Sequence, residues 1–513
     1  MRTKTILAAL ALFVLALAVR LPRMSQSLWY DEMYTLVEYV GQPWQKVLAA
    51  HPGEYVPNNH VLYTILAKLI YHTNEDQGPN EALLRLPALI AGCLLPIALA
   101  WPLRRTSPWT ALLLAIIASL HPWLIAFSTE ARGYSLLLLL GIVATNLLPD
   151  GKRRWPIGYA ITMAAAIYTV PIAVLLLIAH GVAIGVLQRN SWAAWGRAAG
   201  LSLLLSALLY LPMSWAMVQY YRRPYDTTIS YREFLDQLPR FAMAGERLPR
   251  QSLDILREPD PFSGSVYWAL PVLAILIGSA FAWSSVALRP MIVSIGVVSL
   301  LGILSPLING GTTEVRFVPW AAVWFCIGVV AILTSPKVQW MRGVAMLGVV
   351  LLITWMGLRD SAMPANQPIR EGIQLVNQLA PVGYDLMIGY LGAREAAYLY
   401  GDEAPGHLVL AGHDAPRWAA SEERAERETG HRPWVIIFYE DLARRRNDGP
   451  EDSRGLWVHL MKNYRLVTRL PGRISPVAIY EPKEEGNVAC DNLRHNATLF
   501  AFYLAITNIN IID

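Results

Sequence analysis

A succession of long apolar stretches, running from the N-terminus to residue 358, narrows the possible folds more than any other feature of this chain. The stretches lie at 5–19, 84–102, 108–127, 133–149, 156–170, 172–187, 198–217, 266–286, 290–308, 315–334 and 340–358. About 20 apolar residues in a helix cover roughly 30 Å of hydrocarbon. With no water in the bilayer to bond the backbone, a chain of this kind crosses as helices. Of the 513 residues, 54% are hydrophobic and only 16% charged, too apolar for an ordinary soluble enzyme. The sequence therefore predicts an α-helical polytopic membrane protein with about eleven transmembrane helices.

Charge sets the orientation. Arg2 and Lys4 precede the first stretch, and Arg104, Arg105, Lys152 to Arg154, Arg189, Arg197, Arg289, Lys337 and Arg342 fall on every second connection. Basic short loops stay on the cytoplasmic side, so the N-terminus is expected inside. Arg222 to Arg257 lie on an expected outer loop, 218–265, which is long enough to weigh less in this rule. The first stretch also reads as a signal peptide with Ala16 and Ala18 at its end; an uncleaved helix is preferred, and either reading delivers residue 31 to the outer side. The net charge of +5 is spread between apolar runs, which excludes a nucleic-acid patch. Cys93, Cys326 and Cys490 are too far apart for a metal-ligand spacing or a disulfide framework.

The first outer loop, 22–83, is long for a connection, and long structured loops carry function. Within it His60 to Ile70 is apolar but too short to span, which suits an interfacial helix capping the outer mouth. The alternative, one more crossing, would place the later basic pairs outside. Residues 1–358 thus form one expected domain. From 359 to 486 charge rises, prolines interrupt, and helix-like and strand-like segments alternate: helices at 369–379, 395–400, 421–429 and 455–463, strands at 385–390, 407–411, 434–439, 465–470 and 476–481. This predicts a small C-terminal α/β domain outside the membrane. It has no Gly-rich phosphate loop and is assigned no chemistry. The tail 487–513 fits neither domain.

Four polar sets converge on the expected outer face. Asp31 and Glu32 follow the first span within Leu28-Trp29-Tyr30-Asp31-Glu32-Met33-Tyr34; Asn58, Asn59 and His60 open the interfacial segment; Glu130, Arg132 and Tyr134 lie between the third and fourth spans; Glu314 and Arg316 open the tenth. Ionisable groups at such depth mark a site by default. Each has a plainer alternative: an acid pair capping a helix, arginines snorkelling to lipid phosphates, a histidine capping the helix it precedes, and Trp29, Tyr30, Tyr34 and Tyr63 forming an interfacial belt. Two acids with two arginines on one face suit transfer from a phosphate-linked donor. A planar guanidinium grips phosphate and keeps its charge, and a carboxylate can take the acceptor's proton. For a sugar on polyprenyl phosphate this predicts inversion at the anomeric carbon.

The ordered series Leu28 to Tyr34, Asn59-His60-Val61-Leu62-Tyr63, Leu84-Arg85-Leu86-Pro87, Glu130-Ala131-Arg132-Gly133-Tyr134 and Val315-Arg316-Phe317-Val318-Pro319 resembles the bacterial branch of the C-fold (GT-C) membrane glycosyltransferases. That group includes the protein mannosyltransferases and the lipid A aminoarabinose transferases. The resemblance spans about residues 1–358 and departs at Val61, where many relatives carry proline after the histidine. It implies a multi-pass protein of the bacterial inner membrane with a periplasmic active site and C-terminal domain. It implies the acidic pair Asp31 and Glu32 as the catalytic residues, with Asp31 as the acid-base group; from their own chemistry Arg132 and Arg316, with His60, are expected at the donor phosphate. Tyr30, Asn59, Tyr63, Glu130, Tyr134 and Glu314 are expected to line the substrate. The implied partners are a polyprenyl-phosphate-linked sugar donor, a glycan, lipid or protein acceptor, and membrane lipids. No cofactor is expected, although Asp31, Glu32 and His60 are ligand types that suit Mn or Mg and leave a divalent metal open. Two other readings compete: a flippase or transporter for a lipid-linked sugar, and an oligosaccharide ligase using a diphosphate-linked donor.

Overall fold

Among the described residues, every apolar stretch expected to cross the membrane contains a helix in the computed structural model, the form in which a backbone can bond to itself. The structure describes residues 2–48, 59–71, 79–149, 156–221, 231–244, 265–309, 315–335, 342–361, 365–389, 393–401, 407–410, 415–438, 453–470, 472 and 476–483. Cys490 and the tail from 487 lie outside them.

The helices are less uniform in length than the sequence suggests. Thr5–Arg23, Glu81–Leu103, Arg189–Gln219 and Arg289–Leu307 are each long and apolar enough to cross, and Pro108–Leu120 with Pro122–Ser128 form one more such unit, bent by 62°. Of the other expected spans, Tyr134–Asn146, Ile157–Thr169 and Trp320–Thr334 are shorter apolar helices of 13, 13 and 15 residues, whereas Ser265–Ala282 and Arg342–Ser361 have 18 and 20. The expectation that each span is near full length is therefore corrected. Part of the reason is local: before Tyr134 the chain runs through an irregular turn at 129–133, and before Trp320 through a single tight turn at Val315–Phe317. Both interruptions carry candidate site residues. The bend sits at His121-Pro122, where proline cannot donate to the helix ladder.

Small residues let two of these helices touch. Ser265–Ala282 packs along Trp320–Thr334, and a Cβ built on Gly278 would lie 2.2 Å from Gly328 Cα, while one on Gly328 would lie 2.4 Å from the Ala274 carbonyl oxygen. Close approach through glycine is how helices gain contact in lipid, where no hydrophobic force separates helix from solvent.

The first connecting segment folds as a short helix Tyr30–Thr35, a wider π turn Leu36–Val40, a helix Trp44–Leu48 and the helix Val61–Ile70. The last has 10 residues, too few to span. Beyond the helical bundle lies a five-stranded sheet: β1 (Leu386–Gly389), β2 (Leu408–Leu410), β3 (Trp434–Phe438), β4 (Tyr464–Leu470) and β5 (Val477–Pro482), in spatial order β2-β1-β3-β5-β4. β1 runs parallel to β2 and β3, whereas β5 is antiparallel to β3 and β4. The helices and strands expected after residue 369 all appear.

Alternation along the strands divides the sheet between two cores. Leu386, Ile388, Ile436 and Ile479 join a cluster that also holds Leu28, Met33, Tyr63 and Leu84. Met387, Val435, Ile437 and Tyr480 face Trp418 and Leu460 on the other side. One face of the α/β unit is thus continuous with the core of the first connecting segment, which seats the unit on it.

Overpacking the glycine crossing should cost about 1–3 kcal/mol. Gly328→Ala is expected to lower the thermal unfolding midpoint in detergent, while Gly200→Ala, at a helical position with nothing within 4 Å, does not lower it, because alanine is the better helix former.

Candidate active site

The site begins with a helix start. Trp29 is extended and precedes the helix Tyr30–Thr35, so Asp31 and Glu32 fall in its first turn, where negative charge complements the unpaired N–H groups. Glu32 closes that turn by accepting the Trp29 N–H at 3.3 Å. Adjacent residues on a helix diverge by about 100°, and the two acids accordingly go to different partners.

Glu32 is fully buried. Its Oε1 accepts from Arg85 Nε at 2.8 Å and from the Ala131 N–H at 2.6 Å, and its Oε2 accepts from Arg85 Nη2 at 2.6 Å. The Arg85 guanidinium also donates to the carbonyl oxygens of Arg23, Met24, Gln26 and Ser27, at 2.6–3.1 Å. This bidentate pair ties three segments together: the end of the first span, the Asp31 helix and the 129–133 turn.

Asp31, 5% exposed, turns instead to the arginines. Its Oδ2 is ion-paired with Arg316 Nη1 and lies 3.9 Å from Arg132 Nη2. Arg132 is buried and also donates to Thr35 Oγ1 at 3.3 Å, whereas Arg316 retains 18% exposure of its side chain. These two cations come from turns that precede different helices, and both meet Asp31.

His60 completes the cluster. Its Nδ1 accepts the Gly133 N–H at 2.7 Å, so in the neutral ring Nε2 carries the proton, and Nε2 lies 3.4 Å from Arg132 Nη2. Two N–H donors at that spacing do not satisfy one another, whereas an anionic oxygen placed beside them would accept from both. Burial first, and then the nearby Arg132 and Arg316 charges, hold the imidazole well below its usual value of 6.5. Gly133 is required here by space alone: a Cβ would lie 2.7 Å from Thr169 Cγ2 and 2.9 Å from His60 Cβ.

The other candidate residues sit around this cluster in varied roles. Tyr134 packs edge-on to the His60 ring, with centroids 4.9 Å apart. Tyr30 is half-buried and stacks at a tilt 6.1 Å from Tyr34. The Glu130 Oε1 accepts from Asn366 Nδ2 at 3.1 Å. Asn59 and Tyr63 are engaged within the fold: Asn59 Oδ1 accepts from Thr64 Oγ1 at 2.9 Å, and the Tyr63 hydroxyl donates to the Leu84 carbonyl at 2.6 Å. Glu314 and Asn58 lie outside the described residues. Asp31, Glu32 and His60 do not converge as a ligand set, because Glu32 faces Arg85 and His60 Nδ1 faces Gly133; among the described residues no three His, Cys, Asp or Glu side chains meet in metal-binding geometry.

Two contributions were not assigned from the sequence. Arg85 stood in view as a cation inside an apolar run, which is itself a signal. Asn366 and Gln367 carried none.

Compared with solved structures, the chain is similar to two crystal structures of ArnT from Cupriavidus metallidurans. For the one bound to undecaprenyl phosphate the identity is 12%, with 93% of this chain and 97% of that chain covered at a TM-score of 0.46. For the apo state the identity is 12%, with 93% and 98% covered at a TM-score of 0.49. No protein-family model matches the chain, and no curated protein matches it in sequence.

Breaking a buried pair strands its partner's charge, at about 3–5 kcal/mol. Arg85→Met is therefore expected to lose that much stability in denaturant titrations, because Glu32 is left without its guanidinium. His60 gives a second test. Its pKa is lowered on folding, so as pH falls through 6.5 the unfolded chain takes up a proton that the folded chain declines. Stability should fall with pH below 6.5 by up to about 1.4 kcal/mol per unit from this residue, and His60→Gln should reduce that slope.

Proposed function

We propose that the protein is an inverting glycosyltransferase that moves a sugar from a polyprenyl-phosphate donor to a cell-envelope glycan, lipid or protein at the outer face of the membrane. The observation that carries this reading is the Asp31 carboxylate shared by two guanidinium groups, Arg316 and Arg132, at one end of an apolar helical bundle. The motif series in the sequence supplies the donor class. The arrangement of charge supplies the chemistry.

A carboxylate neutralised by two arginines is a weak proton acceptor. A donor phosphate that draws Arg316 and Arg132 to its oxygens removes that restraint, and the His60 Nε2–H adds a third donor to the same oxygens. The acceptor hydroxyl then gives its proton to Asp31 as its oxygen bonds to the anomeric carbon. The bond from that carbon to the phosphate oxygen breaks, and its electron pair leaves with the polyprenyl phosphate, whose charge the guanidiniums balance. Attack opposite the leaving group inverts the centre. Glu32 acts through structure: by holding Arg85 and Ala131 it fixes both the Asp31 helix and the turn that carries Arg132. Arg316, the most exposed of the charged groups, is the one best placed to change partners.

The test is transfer of radiolabelled sugar from membrane polyprenyl phosphate to endogenous acceptor, with wild type and Asp31→Asn compared in the same membranes and a chelator added in parallel. Asp31→Asn is expected to lower transfer by about 10²–10⁴-fold while the protein still accumulates, and the chelator to change nothing. Normal transfer by Asp31→Asn would sink the assignment and favour the flippase or ligase readings.

A further inference from the structure

The chain enters the α/β unit through Asn366 and Gln367, both buried. Gln367 Oε1 accepts the Tyr30 N–H at 3.0 Å. Tyr30 is the first residue of the Asp31 helix, whose opening N–H groups have no partner within the helix. One residue earlier, Asn366 Nδ2 donates to Glu130 Oε1, and the Glu130 carbonyl accepts the Arg132 N–H at 2.7 Å. Two consecutive amides therefore grasp the segment bearing the acid and the segment bearing the arginine.

Asn366 Oδ1 and Gln367 Nε2 have no protein partner among the described residues. A buried amide that uses only part of its bonding capacity is a costly choice compared with an apolar side chain. Stability alone does not account for the pair, whereas the groups they hold do. Neighbouring contacts fasten the same join: the Arg370 N–H donates to Ser27 Oγ at 3.2 Å, its guanidinium pairs with Glu81, and the Tyr400 hydroxyl accepts the Leu28 N–H at 3.2 Å.

We propose that Asn366 and Gln367 are positioning residues through which the α/β unit sets the separation of Asp31 from Arg132, and with it the rate of transfer. The inference rests on the transferase reading for its effect on rate, but its geometric content stands apart from it.

The test uses the full chain with Gln367→Leu, which removes the acceptor at similar volume, and Gln367→Glu, which keeps an acceptor oxygen. Arg394→Ala serves as control, since exposed Arg394 reaches Glu38 at 3.7 Å away from the charge cluster. Asn366→Leu is the second variant should Gln367→Leu not accumulate. Two readouts are taken: kcat and KM for the donor, and amide hydrogen exchange over residues 30–35. Gln367→Leu is expected to lower kcat on the order of 10–10²-fold with little change in KM, and to speed exchange. Gln367→Glu restores most of both, and Arg394→Ala changes neither. An unchanged kcat in Gln367→Leu, or equal loss in both Gln367 variants, overturns the proposal. If the wild type transfers no sugar, the functional reading falls and exchange alone decides: faster exchange in the Leu variant but not the Glu variant supports positioning, and equal exchange overturns it.

Discussion

The arrangement around Asp31 depends on one buried ion pair, Glu32 with Arg85. A guanidinium inside an apolar helix is tolerable only when its donors are met, and here a carboxylate and four backbone carbonyls meet them. Those carbonyls belong to the segment leaving the first span, so the chain between Arg23 and Ser27 is shaped to the arginine. The second Glu32 contact, to the Ala131 N–H, brings the 129–133 turn to the same place. Without that pair neither the direction of Asp31 nor the approach of Arg132 would be defined.

The same geometry separates two acids that are neighbours in sequence. A turn of helix points Glu32 into the protein and Asp31 toward the arginines. One carboxylate is then committed to backbone and guanidinium on both oxygens, while the other faces a partner that retains solvent exposure. A group meant to exchange partners during a reaction needs the second environment. A group meant to hold geometry needs the first.

Much of this was legible in the sequence for physical reasons. Apolar stretches of bilayer length must be helical, and Val61–Ile70 was visibly too short to span. Short strand-like runs such as Trp434–Phe438 marked the sheet, because a strand that faces a core on both sides is apolar along its whole length. The residue types at the site could be named: Asp31, Arg132, Arg316 and His60 do come together. Which acid met which arginine could not be read, since it depends on the rotation of a six-residue helix against segments far along the chain. Asn59 and Tyr63 looked equivalent to Tyr30 as neighbours of the motif, yet their polar atoms close local bonds. Gln367 contacts Tyr30 across 337 residues, and an amide pair after a proline-interrupted stretch gives no pattern that would announce it. Span lengths erred where irregular turns displaced helix, at 129–133 and Val315–Phe317, the places where the site needed side chains aimed off the helical path.

Charge bookkeeping bears on the choice of donor. Asp31, Arg132 and Arg316 together carry one net positive charge, Glu32 and Arg85 cancel, and His60 is kept neutral by burial and by the arginines. A sugar joined to a polyprenyl monophosphate is a phosphodiester with a single negative charge, so its arrival balances the cluster. A diphosphate-linked donor brings two, leaving an excess negative charge in a buried place where an unpaired ion is costly. Counting Glu130 lowers the positive charge further and widens the disadvantage of the diphosphate. The preference is relative and holds whichever count is used: each added phosphate needs another cation, and among the described residues the cations nearest Asp31 are Arg132 and Arg316. Under the proposed function, this cluster would suit a monophosphate carrier better than a diphosphate one.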